Sequence, residues 1–516
     1  MKLPALGLCL WGSLDGNGRS ETAVGESLAD EISDRGSIPL SSIIIRAWPL
    51  SAAVPLVYIK FILTLLFKSV YITNMRIQLS DHFTYGRLFR FVLPSIAMMV
   101  FTSVYGIVDG FFVSNFAGKT AFAAVNFIIP FIMILSSVGF MFGTGGCALI
   151  SKEIGEGKKE KAQKTFSMIV LVSFITGIVL AAAGICAVRA VAAWLGAEGE
   201  MLDNCVFYGR IVLIALPAYV LQYEFQSFFI AAEKPRLGLF VTLAAGIMNM
   251  ALDWLLVGVF SFGLGGAAAA SSISIFVGGF VPVIYFIRPN SSLLRLVKPA
   301  FDGRALLKTC TNGSSELLSN VAMSVCNIFY NARLMTYIGE DGVSAFGVMM
   351  YVGMIFYSVF MGYAVGTSPI ISYNYGAENY AEKKNVFRKS LVIITAFSAA
   401  MVILSLVLSG PMSYLYVGYD ETLLRITKNG FKIFSFSFIF AGMAIYSSSF
   451  FTALNNGLVS AVISFLRMLV FPAICVYALP LMLGVDGIWL SLVVSEFLSV
   501  IVDALVLTKF KGRYRY

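Results

Sequence analysis

Residues 145–157, GGCALISKEIGEG, lie over residues 366–378, GTSPIISYNYGAE, with Gly145 opposite Gly366, Ile150 opposite Ile371, Ser151 opposite Ser372 and Gly155 opposite Gly376. The offset, 366 less 145, is 221 residues. Carried along the chain without a gap, it also pairs Gly118 with Gly339, Ala124 with Ala345, Phe166 with Phe387, Gly263 with Gly484 and Gly266 with Gly487. A single constant shift over matched hydropathy is the mark of an internal duplication.

The repeated material is apolar. The chain is 58% hydrophobic and 13% charged, with a mean hydropathy of +0.85, whereas a soluble domain is about 25% charged. Apolar runs fall at 87–114, 119–150, 164–187, 206–231, 237–260 and 265–287, then at 309–337, 342–373, 386–410, 428–453, 457–480 and 485–508. Each is long enough to cross a hydrocarbon core of about 30 Å as a helix. The expected fold is therefore an all-α polytopic membrane protein of twelve transmembrane helices. Six spans, an even number, separate equivalent points, so the two six-helix lobes keep one orientation and are related by a pseudo-two-fold axis along the membrane normal.

Basic residues collect on one side, as in Arg87 and Arg90, Lys158 to Lys164, Arg288 to Lys308, Lys383 to Lys389, and Lys509 to Arg515. The alternate connections are short, neutral or acidic, as in Glu340 and Asp341. This asymmetry places both core termini in the cytoplasm of a plasma-membrane protein. The expected divisions are an amino-terminal lobe at 75–287, a cytoplasmic linker at 288–308, a second lobe at 309–508 and a basic tail at 509–516. Residues 1–74 have no counterpart in the repeat. The reading preferred for them is translation from Met75, the alternative an extra amphipathic or spanning helix.

The net charge of +9 is spent on topology, so no nucleic acid partner is expected. The seven cysteines are scattered without CxxC spacing and His82 is the sole histidine, which argues against zinc sites and His-dependent catalysis. FAGKTAF at 116–122 lacks the first glycine of a phosphate loop, Val113 standing in its place. No nucleotide, cofactor or enzymatic activity is expected, and transport would have to draw on an ion gradient.

Ionisable groups inside spans are costly and usually functional. Asp109 lies in VYGIVDGFFVSN of the first span, with Tyr105 four residues before it; Asn249 and Asp253 share a face of the fifth, in GIMNMALDWLLVG. If these spans pack together, the two acids repel, and a shared proton or a small hard cation relieves the repulsion. Asn249, Tyr105, Gln226 and Ser271 supply further oxygens of the type sodium accepts.

The order of these residues, YGIVDGFFV followed by NMALDWLL within a duplicated twelve-span chain, resembles the multidrug and toxic compound extrusion (MATE) family of secondary transporters over residues 80–508. The resemblance implies that Asp109, Asn249 and Asp253 form the proton or sodium site of the amino-terminal lobe, with Tyr105, Gln226 and Ser271, or equally Ser272, in support. It also implies that Pro94 marks the bend of the first helix and that Glu316 has a coupling role in the second lobe. The lobes differ chemically, since Asp109 falls opposite Tyr330. Arg467 and Glu496 either serve transport or pair with each other, and Glu224 faces either the cavity or the cytoplasmic end. Phe111, Phe228, Phe229, Met349, Met350, Phe356 and Tyr357 are available to line a greasy cavity.

The expected function is a monomeric antiporter that exports amphipathic, often cationic small molecules in exchange for protons or sodium, with membrane lipid as its other partner. Two alternatives are a flippase for lipid-linked oligosaccharide and, less favoured, a membrane-embedded enzyme.

Overall fold

The computed structural model describes residues 77–516, so the expectations for residues 1–74 lie outside the described residues. Among the described residues the regular structure is helical, as a hydrocarbon environment requires of a chain that must satisfy its own backbone. The first lobe contains α1 (Tyr85–Phe112) with a π-helical turn π1 (Val113–Ala117), α2 (Lys119–Gly155), α3 (Lys159–Leu195), α4 (Gly199–Ile214), α5 (Leu216–Ala231), α6 (Pro235–Asp253) with π2 (Trp254–Val259), and α7 (Gly263–Ile287). The second contains α8 (Gly303–Tyr337), α9 (Glu340–Gly376), α10 (Tyr380–Val417), α11 (Glu421–Ser435), α12 (Phe438–Ala453), α13 (Gly457–Phe465), π3 (Leu466–Val470), α14 (Phe471–Leu483) and α15 (Val485–Tyr514).

These make twelve spans. Among the described residues nine helices are long and apolar enough on their own, and two more spans are bent pairs, α4 with α5 at 57° and α11 with α12 at 49°. The twelfth is α8, whose run of Thr309, Asn312, Ser315, Glu316 and Asn320 lowers its hydropathy. It packs along α2 of the other lobe, where Thr309, Asn312 and Ser315 are buried in protein and not in lipid.

The duplication is visible in the backbone. Gly118 and Gly339, 221 positions apart, both precede the second helix of their lobe at positive φ, 92° and 81°, a conformation strained for any residue with a β-carbon. The two bends also fall 221 apart, at Ala215 and Phe436. Gly145 of α2 faces the backbone of α8, whereas Gly366 of α9 faces Val92 and Ser95 of α1. The second span of each lobe thus packs on the first span of the other.

At one end α2 and α9 cross at the repeated glycines. A β-carbon built on Gly155 would lie 2.1 Å from the Tyr373 carbonyl oxygen, and one on Gly376 would lie 2.1 Å from that of Lys152. At the same end the segment before α1 joins the lobes. Leu79 N donates to Glu233 at 2.7 Å, while Phe83 N and His82 Nδ1 bond Glu382 of α10 at 2.8 and 2.6 Å. Lys389 Nζ donates to the Phe83 carbonyl at 2.6 Å.

The connection between lobes is non-helical from residue 288 to 302, and α8 starts six residues before the expected boundary because Asp302 caps it. The Asp302 carboxylate accepts from Arg304 N at 3.0 Å and Ala305 N at 3.1 Å. These amides, Ala305 first, hold its pKa below the ordinary carboxylate value. Residues 509–514 continue α15 as helix, and the Tyr514 carbonyl accepts from the buried Lys383 Nζ at 2.5 Å.

Candidate functional site

The two acids of the first lobe meet because α1 and α6 run side by side in the same direction. Gly246 makes the approach close: a β-carbon there would lie 2.4 Å from the Phe101 ring and 3.3 Å from that of Tyr105. Seven residues beyond Gly246 is Asp253, and eight beyond Phe101 is Asp109, so two turns of parallel helix carry the carboxylates to the same level.

Asp109 is half-buried and Asp253 fully buried. The side chains of Asp253, Ser271 and Asn249 lie within hydrogen-bonding reach of the Asp109 carboxylate, and Ser271 Oγ donates to Asp109 Oδ1 at 3.3 Å. Both Asp253 oxygens and Asn249 Oδ1 are buried without a donor. The pocket thus leaves three acceptor oxygens without donors, and two carboxylates in a sheltered medium repel unless a proton or a cation stands between them. Each acid is followed within a turn by a π-helical segment, π1 after α1 and π2 after α6. Such turns interrupt the regular i to i−4 ladder.

Ser271, not Ser272, faces Asp109; Ser272 Oγ donates instead to the Ile211 carbonyl at 3.3 Å. Tyr105 lies against Phe101, with ring centroids 6.1 Å apart, and its hydroxyl is in the electrostatic field of Asp109. Gln226 is placed elsewhere. With Gln222, Thr242 and Gly278 it lines a small cavity, and Thr242 is seven residues, about 10 Å, before Asn249 along α6. α1 runs through Pro94 as one helix, although the proline deprives the Arg90 carbonyl of its helical partner.

Two groups at the site were not foreseen. Tyr208 of α4 is buried with its hydroxyl in reach of Ser271 and in the field of both acids. Tyr219 of α5 joins through the field of Asp109 and accepts from the Tyr223 hydroxyl at 2.9 Å. The i, i+4 spacing of Tyr219 and Tyr223 is a helical face that the sequence displays, but nothing in it aims that face at Asp109.

The other ionisable groups separate from this pocket. Glu224 is fully buried and bonded to Ser173 of α3. Arg467 and Glu496 form a two-pronged ion pair, Nε to Oε2 at 2.9 Å and Nη2 to Oε1 at 2.8 Å. Glu316 is half-buried, and its charge interacts with Arg467. Phe228 and Phe229 are packing residues: with Phe166, Phe225 and Phe286 they build an aromatic core inside the first lobe. Phe356 and Tyr357 pack on Phe438, at 5.1 and 5.5 Å between centroids.

Comparison with known proteins gives a consistent pattern. The profile of the MatE family matches residues 94–255 and 317–477, one match in each lobe. The chain is 24% identical over 436 residues to the multidrug export protein MepA of Staphylococcus saprophyticus, covering 83% of this chain and 94% of that protein. It is 21% identical over 428 residues to MepA of Staphylococcus aureus strain MRSA252, with the same two coverages. A crystal structure of MATE in complex with MaL6 superposes with a TM-score of 0.81 at 21% identity, over 86% of this chain and all of that one. An outward-facing multidrug resistance MATE transporter of the MOP superfamily superposes at 0.80, again with 21% identity, over 86% of this chain and 99% of that one.

Proposed function

The chain belongs to the MatE family, and from that premise we propose that it is a cation-coupled antiporter that exports amphipathic, often cationic compounds across the cell membrane. The observation that carries this reading is the meeting of Asp109 and Asp253 in a pocket where both Asp253 oxygens and Asn249 Oδ1 have no hydrogen-bond donor. The names of the curated relatives, multidrug export proteins, support the substrate class.

In this reading the pocket has two states. Vacated, it holds two acids that repel and disfavour the packing of α1 on α6. Loaded with a proton or sodium, the repulsion is cancelled and that packing tightens, so the cation biases one lobe arrangement over another. Basic loops on the face of the α2–α9 crossing support that end as the cytoplasmic one; in that orientation the arrangement is closed inward, with the acids in the outer half of the first lobe. A cation arriving from outside reloads the pair as substrate leaves. One elementary charge moving through 100 mV releases about 2.3 kcal/mol, equivalent to a roughly 50-fold concentration ratio for a neutral substrate.

Dye efflux from proteoliposomes tests the proposal. Export is expected under an imposed pH gradient or an imposed sodium gradient, and whichever gradient drives it names the ion. Asp109→Asn should abolish gradient-driven export while the protein still inserts. Export by that variant at the wild-type rate refutes the site, and export indifferent to both gradients refutes the coupling.

A further inference from the structure

The second lobe holds a buried acid to which the Asp109 pocket gives no role. Asp503 of α15 is fully buried, and neither of its carboxylate oxygens has a hydrogen-bond donor. Ser447 of α12 is in reach of it, but the Ser447 hydroxyl donates to the Met443 carbonyl at 2.9 Å. Its lone pairs, and not its hydrogen, are what remain for Asp503. Arg467, a positive charge whose field reaches Asp503, forks onto Glu496, seven residues and two turns before Asp503 on the same helix. The other groups facing Arg467 are Glu316 of α8 and Tyr357 of α9; they add an acid and a phenol and no second base. Arg467 is already forked onto Glu496, and a charged Asp503 would stand in a sheltered interior with no hydrogen-bond donor and only a share of that guanidinium's field.

We propose that Asp503 is a proton-binding site of the second lobe, carrying an O–H bond from one carboxylate oxygen directed at Ser447 Oγ. That hydrogen completes a chain from Asp503 through Ser447 to the Met443 carbonyl in which each hydroxyl hydrogen has an acceptor. On release the O–H bond breaks, the proton passes to water and the electron pair stays on the carboxylate. Among the described residues the cation whose field reaches it is Arg467, which then gives up part of its fork on Glu496. Occupancy of Asp503 and the Arg467–Glu496 pair are therefore linked.

The linkage has a route to the other lobe. Three residues before Arg467, Ser464 bonds Ser448 at 2.6 Å, and Ser448 bonds Ser460 at 2.9 Å. Ser460 bonds Thr452 at 2.7 Å, and Thr452 donates to the Asn312 carbonyl at 3.3 Å. Asn312 bonds Asn455 at 2.8 Å, whose amide donates to the Ala148 carbonyl of α2 at 3.2 Å. A shift of Arg467 is thus felt along buried hydroxyls at the contact between lobes.

The test is infrared difference spectroscopy on the full chain in lipid nanodiscs, in an Asp109→Asn, Asp253→Asn background that silences the first pocket. The outcome is thereby independent of whether the antiport reading holds. A carboxylic-acid carbonyl band that disappears in Asp503→Asn is expected, and identical spectra with and without that change overturn the proposal. Ser447→Ala keeps the acid and removes its acceptor, so the band is expected to shift; an unmoved band overturns the geometry even if Asp503→Asn fails to fold. Replacing choline by saturating sodium at fixed pH should leave the band in place. Its loss on adding sodium would overturn the proton assignment in favour of a metal cation.

Discussion

Gly155→Ala makes a direct test of the crossing between α2 and α9. The added β-carbon would stand 2.1 Å from the Tyr373 carbonyl oxygen, where carbon and carbonyl oxygen ordinarily approach no nearer than about 3.3 Å. Both sides of the contact are backbone, so no side chain can swing away and the helices must part by about 1.2 Å. Overpacking of this kind typically costs about 1–3 kcal/mol. Because α2 and α9 belong to different lobes, the cost falls only on the arrangement closed at this end. The population ratio of closed to open should drop about 5- to 150-fold. Gly376→Ala meets the Lys152 carbonyl at the same 2.1 Å. A single separation relieves both clashes, so the double variant should cost less than the sum. Spin labels at the exposed positions Glu160 and Ala377, on a background without native cysteines, report the separation by pulsed electron resonance. Longer distances should gain population in either variant and not in Gly86→Ala, where a β-carbon meets nothing within 4 Å. An unchanged distance distribution in Gly155→Ala would refute the reasoning.

Other perturbations probe different parts. Arg467→Met leaves Glu496 charged and buried and should cost about 3–5 kcal/mol; adding Glu496→Met should recover most of it, and thermal unfolding in detergent reads both. Gly246→Val should push Phe101 and the α1 backbone away from α6 and lower gradient-driven efflux with expression retained. Gly110→Ala, whose β-carbon comes no nearer than 3.9 Å to Phe122, should leave efflux unchanged. The Asp302 cap is pH-dependent: its pKa is lower folded than unfolded, so its stabilisation of the α8 start is present at neutral pH and lost on acidification through the folded value. Hydrogen exchange at the Arg304 and Ala305 amides should quicken on acidification, after correction for intrinsic rates, and Asp302→Ala should erase that pH dependence.

The architecture was legible because its cues are local. The 221-residue offset survives at Gly118 and Gly339 since their backbone angles exclude most other residues, and Asn249 with Asp253 announces a polar face by spacing alone. Depth and rotation are not local. Gln226 has the right chemistry, yet it lines a cavity with Thr242, about three turns before Asp253 on α6, and Tyr208 reaches Ser271 because α4 packs on α7. Span boundaries suffered similarly. α8 hides its polar run against α2, so hydropathy understates it, while Asp503, near the basic end of the last span, reads in sequence as an ordinary interfacial acid.

The first helix is fastened twice. Ahead of it, Phe83 and His82 are held by Glu382 and Lys389 of the second lobe, and Ser103 bonds Ser358 at 2.5 Å; past that point Asp109 is held by Ser271 of the first. Any rocking of one half against the other therefore flexes this rod like a beam clamped at both ends. The give is expected between the two fastenings, in the stretch from Ser103 to Asp109 just ahead of π1.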